Sequence, residues 1–184
     1  MKSSYLPSSI KQFEYYKSLG DKTISQLSIE ELKKEHTQDS NSIAIIVKHM
    51  VGNMLSRWTN FLIEDGEKTW RNRDEEFIDT YKTKEDLLNS WHKGWDALFE
   101  AIRPLSETDL ECIIYIRNQG HTVTEAINRQ MMHYAYHIGQ VVFLGKLIKG
   151  NEWQSLSIPK GQSKTYNKDK FKKDKSRTHF TEDL

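Results

Sequence analysis

Apolar residues recur in steps of three and four over most of the first 150 positions, the spacing of a helix with one buried face. Phe13, Tyr16 and Leu19, with Ile24 and Leu27 beyond them, form the first stripe. Ser8 or Ser9 is placed to cap the helix that carries it, and Gly20 is a point where that helix weakens or bends. A charged linker follows, with Ile29 and Leu32 turned inward. The second stripe runs through Ile43, Ile46, Met50, Met54, Trp58, Phe61 and Leu62, with Asp39, Ser40 or Asn41 as its cap. Gly66 ends that region. The polar stretch EDGEKTWRNRDEEF predicts a long loop anchored by Trp70 and Phe77. Thr83, with Asp86 three residues on, is a loose capping box for a third helix. That helix carries Leu87, Leu88, Trp91, Trp95, Leu98 and Ile102, and Pro104 stops it. In ECIIYIRNQGHTVT, Ile113, Tyr115 and Arg117 alternate with Ile114 and Ile116, and Asn118-Gln119-Gly120 supplies a turn, the pattern of a short strand or hairpin. Thr122 or Thr124 caps a fourth helix that runs to about Lys149 and stops at Gly150. Beyond it, Trp153, Leu156 and Ile158 are expected to fold back over the helices. Four long amphipathic helices with little strand predict an all-α protein, a four-helix bundle with room for a short hairpin before the last helix.

Composition sets the boundaries of that picture. A chain of 184 residues fits one domain, taken here as residues 1–159 including the fold-back, followed by a basic C-terminal tail, residues 160–184. Five Trp, eight Tyr and seven Phe are enough to fill a core, which excludes disorder of the whole chain. The net charge is only +1, but it is uneven: the tail holds eight Lys or Arg against four acids, a net +4, and leaves the first 159 residues at −3. Such a mixed-sign tail predicts a solvated, loosely held terminus; the alternative is packing on the body or on a partner subunit. The balance argues against nucleic acid as a partner. No apolar run approaches the roughly 20 residues of a membrane span, and the first sixteen residues lack the apolar stretch of a secretory signal. One cysteine, Cys112, excludes an internal disulfide and a cysteine-rich zinc site, which suits a reducing, cytoplasmic setting.

The chemistry concentrates in histidines. His133 and His137, followed by Gly139-Gln140, lie four apart on the fourth helix, so both imidazoles share a face about 6 Å apart along the axis. They fall among Ile127, Gln130, Tyr134, Val141 and Leu144 on the expected core side. Unpartnered buried imidazoles would be costly, and a metal is one way to satisfy them. His49 is the only histidine of the second helix and sits beside Ile46 and Met50. Three histidines from two helices would make an open site with water in the remaining position, suited to Zn²⁺ and also to Ni²⁺, Fe²⁺ or Cu²⁺. The spacing alone leaves the other reading open, a pair of satisfied core histidines and a half-exposed third. No Glu follows His133, so the zinc-protease helix motif is absent. His36, His92, His121 and His179 read as surface or loop residues, with His121 at a pocket rim as an option. Asn53 and Gln140 stand about one turn and three residues from His49 and His137, where each can hydrogen-bond a ligand or bound water. Arg129 is placed for an ion pair with Glu125, and Cys112 has no evident base and reads as inert packing.

These residues carry a family resemblance. With His49 on the second helix and His133-x-x-x-His137-x-Gly139-Gln140 on the fourth, the chain resembles the DinB-like (YfiT-type) superfamily over roughly residues 8–150. The stretch AINRQMMHYAYHIGQVVFLGKLIKG, followed by WQSLSIPKG, is similar to an uncharacterised bacterial subfamily of it. The resemblance implies a four-helix bundle with a divalent metal, Zn²⁺ or Ni²⁺, held by His49, His133 and His137, and dimers formed through bundle helices. It also implies, from some relatives, metal-dependent transfer of small-molecule thiols such as bacillithiol, mycothiol or glutathione. Two other readings stand beside this one. The first is a non-catalytic metal-binding bundle, such as a stress-response or sequestration protein. The second is an interaction module using the tail segment KDKFKKDKSR with Phe171 for stacking.

Overall fold

Three of the four long helices start where a side chain caps them, and the first does not. In the computed structural model, which describes residues 3–37 and 39–183, α1 (Tyr5–Ser25) opens after Ser4, ahead of the expected Ser8 or Ser9. Pro7 falls in its first turn, where a missing N–H leaves no helical bond unmade, so the helix begins before the serines. The expectation of no secretory signal and the outer bounds expected for the domain and tail touch residues 1, 2 and 184, which lie outside the described residues. α2 (Ile29–Leu32) is one turn closed by a reciprocal box of Ser28 and Glu31, and it buries Leu32. α3 (Ile43–Trp58) is capped by Ser42, whose Oγ accepts Ile45 N–H at 3.2 Å. The expected caps Asp39, Ser40 and Asn41 do not serve. Ser40 instead closes the preceding turn by accepting the N–H groups of His36 and Thr37 at 2.9 Å.

α4 (Lys84–Ile102) opens with the Thr83–Asp86 box, both bonds at 3.0 Å. β1 (Ile113–Ile116) and β2 (Gln119–Thr122) pair antiparallel. Their turn is Arg117-Asn118, at φ 56° and 60°, one residue earlier than expected and in the left-handed geometry that two-residue hairpins favour. Ile114 and Ile116 point inward while Ile113 and Tyr115 are exposed. α5 (Val123–Lys149) is capped by Thr122 and Glu125; Thr124 turns its hydroxyl to Leu110 O instead. Gly150, at φ 54°, ends it.

The result is a mostly helical chain with six α-helices and one two-stranded sheet among the described residues. α3 lies along α4 and α1 along α5, while α3 also meets α5 and α1 touches α4. Trp91, Trp95, Tyr134, Phe13, Met50, Met54 and Leu98 fill the space between them. Their rings interlock, with Trp95 5.4 Å from Trp91 and 5.8 Å from Tyr134. α1 runs on through Gly20, where a Cβ would lie 2.5 Å from the Trp91 ring, so its bare backbone makes room for the indole. Leu62 is exposed because α3 ends at Trp58 and the chain turns through Asn60 at φ 49°. Among the described residues, no helix is long and apolar enough to cross a membrane.

The C-terminal segments return to the body. Trp153 packs over Gly145, and Gln154 exchanges two hydrogen bonds with Gln26, at 2.9 and 3.3 Å. α6 (Ser163–Lys170) is largely exposed. After it, the turn Phe180–Asp183 comes back to α1, where His179 hydrogen-bonds Ser8 at 3.0 Å, Phe180 meets Tyr15 and Glu182 pairs with Lys11. The end of the tail is therefore held rather than loose, and His179 is half-buried. Cys112 is exposed instead of packed.

Candidate metal centre

Charge more than apolar anchoring holds the loop between α3 and α4. Trp70 and Phe77, the expected anchors, are 59% and 37% exposed. Ser56 Oγ donates to Gly66 O at 2.8 Å and accepts the Lys68 N–H at 3.1 Å. Arg57 donates to Gly66 O and to Glu67. The Glu67 carboxylate faces three guanidinium groups, of Arg57 at 3.0 Å, Arg71 at 3.2 Å and Arg117 at 3.3 Å. Asp65 accepts the N–H groups of Arg117 and Asn118, both at 2.8 Å, which ties the hairpin turn to the loop. Arg71 is almost fully buried, and its Nε and Nη2 grip Glu76 at 2.7 and 3.0 Å, the two-pronged geometry that makes such pairs strong. A 3-10 turn, Asp74–Phe77, brings Glu76 down onto α3 at Gly52. A Cβ on Gly52 would collide with the Glu76 carboxylate, so glycine makes this approach possible.

Glu76 then meets the first histidine. His49 Nδ1 donates to Glu76 Oε2 at 2.9 Å, so that in the neutral ring Nε2 is the nitrogen left bare. Phe77 stacks on the same ring at 5.2 Å. On α5, His137 Nδ1 donates to Gln140 Oε1 at 2.8 Å, and its Nε2 lies 3.0 Å from His133 Nε2. The rings of His49, His133 and His137 meet edge-on, with centroids 4.7 to 5.5 Å apart. One nitrogen from each ring lies within 4.8 Å of the others, and the three could hold a metal ion. The donor set fits one: three imidazoles from two helices, two of them oriented from behind by a carboxylate and an amide, as ligating histidines usually are.

The electrostatics favour neutral rings. Burial, with the charges of His137, His49, Arg57 and Arg71 adding to it, pushes the His133 pKa down to about 3. Burial also lowers that of His137, against the opposing Gln140 hydrogen bond. Both rings are therefore unprotonated at neutral pH, the state a metal requires. Burial alone would raise the Glu76 carboxyl, but the His49 and Arg71 hydrogen bonds outweigh it and hold it below the ordinary carboxylate value.

A cavity of about 220 Å³ opens beside the histidines. His49 and His133 line it, as do Asn53, Gln130 and the arginines at 57, 71, 73, 117 and 129. Asn53 does not bond a histidine; its Oδ1 accepts from Tyr134 OH at 3.1 Å, and Tyr134 in turn accepts from Trp58 Nε1. Arg129 pairs not with Glu125, which is engaged in the Thr122 cap, but with His121 Nε2 at 2.9 Å. His121 does not itself line the cavity and touches it only through Arg129, while His36 and His92 are exposed. Sequence reasoning missed Glu76, Arg71, Arg57 and Arg117. A charged loop carries no periodicity, so nothing in its pattern separates a buried Glu76 from the exposed Glu75 beside it. The one available signal is that a loop poor in apolar residues needs paired charges to hold it.

No curated protein and no solved structure matches the chain. A family model matches residues 1–162, stopping where the basic tail begins. The chain belongs to the family described as "Protein of unknown function (DUF1572)", which lies in the DinB/YfiT-like superfamily.

Proposed function

We propose that this protein is a DinB-like four-helix bundle that binds a divalent ion, Zn²⁺ or Ni²⁺, at His49, His133 and His137 and transfers a small thiol of the bacillithiol or glutathione kind to an electrophile. The observation that carries the reading is the convergence of three imidazoles, with Glu76 and Gln140 as the hydrogen-bond partners of His49 and His137. When bound, such an ion supplies Lewis acidity that lowers the pKa of a thiol in its open position. Glu76 and Gln140 keep two Nε2 atoms bare and aimed inward. Burial keeps His133 from competing for protons. The adjoining cavity gives a substrate access to the His49 and His133 side of the cluster. In the transfer the thiol proton goes to solvent, the sulfur forms a bond to an electrophilic carbon, and the leaving group departs with its bonding pair.

Co²⁺-loaded protein tests this. Added glutathione or bacillithiol is expected to change the ligand-field spectrum, and an alkyl halide is expected to be consumed in a thiol-dependent reaction that His137→Ala abolishes while helical content is kept. Absence of both responses would leave the non-catalytic metal-binding or stress-response reading in its place.

Two further parts of the proposal concern context. Met132, Tyr136, Phe143 and Leu147 leave an apolar stripe exposed along the outer face of α5, where Gly139 adds no side chain. This supports a homodimer formed through α5. The single exposed thiol of Cys112 suits a reducing cytoplasm.

A further inference from the structure

We propose that the cavity beside the histidines takes a small molecule with an anionic group, a carboxylate or a phosphate, that docks on Arg57, Arg73 and Arg129, and with a hydroxyl or amide N–H that meets Gln130. This names the substrate class of the site above and rests on the metal reading only for where the ligand's reactive end lies.

Five guanidinium groups line this cavity. Two carboxylates, Glu67 and Glu76, compensate Arg57, Arg71 and Arg117 between them. Arg73 and Arg129 have no carboxylate partner among the described residues. Arg73 lies over the Phe77 ring at 5.5 Å. Arg129 donates to His121 Nε2, whose ring gives its own proton to Gln119 O at 3.0 Å and is therefore neutral. The cavity thus carries excess positive charge at its rim.

The floor points the same way by an independent observation. Arg57 is 7% exposed and Gln130 3%. Yet Arg57 Nε and Gln130 Oε1 are buried with no hydrogen-bond partner among the described residues. Buried polar atoms are rarely left unpaired in native proteins, and an unpaired one costs stability. Here the two residues that carry them, one a cation with a spare donor and one a neutral amide with a spare acceptor, both line one small cavity. An anionic oxygen satisfies the first, and a hydroxyl or amide N–H satisfies the second. Guanidinium is the side chain best matched to the planar or tetrahedral oxygens of carboxylate and phosphate. At about 220 Å³ the cavity is smaller than the roughly 300–1,000 Å³ of sites that engulf a drug-sized ligand, so it suits the charged end of a molecule. Because His49 and His133 line the same space, a ligand anchored on the arginines has its other end at the histidine cluster.

Titration calorimetry of the full chain at low ionic strength, metal-free and Zn²⁺-loaded, with inorganic phosphate and with malonate, tests the proposal. At least one anion is expected to bind at a single site in the metal-free protein. Binding should weaken about tenfold in the Arg73→Gln/Arg129→Gln double variant with an unchanged melting temperature. Arg103→Gln, whose side chain lies elsewhere against Phe99 and Glu14, is expected to bind as wild type. The tighter anion assigns the group as phosphate or carboxylate. No saturable binding of either anion, or equal binding by wild type and the double variant, overturns the proposal. Metal content read on the same samples separates the two claims. Anion binding by protein that takes up no metal sinks only the metal reading, and metal uptake without anion binding sinks only this one.

Discussion

His49 keeps its proton on Nδ1 because Glu76 accepts it there at 2.9 Å, and Arg71 holds Glu76 in place from the other side. In the neutral ring the bare nitrogen is then Nε2, so metal affinity at the proposed site would depend on residues that never touch the ion. Glu76→Gln weakens the acceptor and leaves the buried Arg71 half-compensated; we expect it to lower metal affinity by about 10–100-fold. Gly52→Ala pushes the Glu76 carboxylate off α3 and is expected to act in the same direction. Competition with a chromophoric chelator measures both, and wild-type affinity in Glu76→Gln would contradict this role. His133 and His137 were legible in the sequence because a spacing of four on a helix fixes a shared face, and His49 because it is the one histidine on the apolar side of its helix. Glu76 was not, because a loop position has no periodicity to place it, and its partner Arg71 shares that loop.

At the scale of elements, the helices were legible where local chemistry decides them. The boxes Thr83–Asp86 and Thr122–Glu125 form from residues three apart, and the inward stripes of α4 and α5 follow from period alone. The misses are places where a neighbouring element decides. Ser40 is taken by a turn, so Ser42 caps α3, and Gly20 serves Trp91 on another helix. The α3–α4 loop is the largest such case, since Glu67 and Asp65 are held by the hairpin as well as by the loop itself. Burial would raise the Glu67 carboxyl, but the Arg57 hydrogen bond and the charges of Arg71, Arg57 and Arg117 outweigh it and hold it below the ordinary carboxylate value. A carboxyl depressed on folding stabilises the protein above its unfolded pKa, and the gain fades as pH falls below it. Glu67→Gln should therefore cost about 1–3 kcal/mol at pH 7, and the gap in melting temperature from wild type should shrink from pH 5 toward pH 3. A gap independent of pH would show that packing, not charge, is what Glu67 contributes.

For the whole molecule, the sequence pattern accounts for the long helices α1, α3, α4 and α5 and for the aromatic residues they bury, but not for which outer face stays unpartnered. Phe143 and Leu147 carry the same periodic signal as buried neighbours on α5 and are exposed nonetheless. Phe143→Glu places a charge in the proposed dimer seam, and sedimentation is expected to find monomer where wild type sediments as a dimer; a monomeric wild type would remove that part of the account. The central claim is the ion itself, since the thiol chemistry depends on it. Metal content by mass spectrometry on untagged full-length protein, wild type beside His133→Ala, tests it most directly. About one equivalent per chain in the wild type, lost from a variant that keeps its helical content, is the predicted result. A wild type that holds no metal even after incubation with Zn²⁺, Ni²⁺ and Mn²⁺ would contradict it.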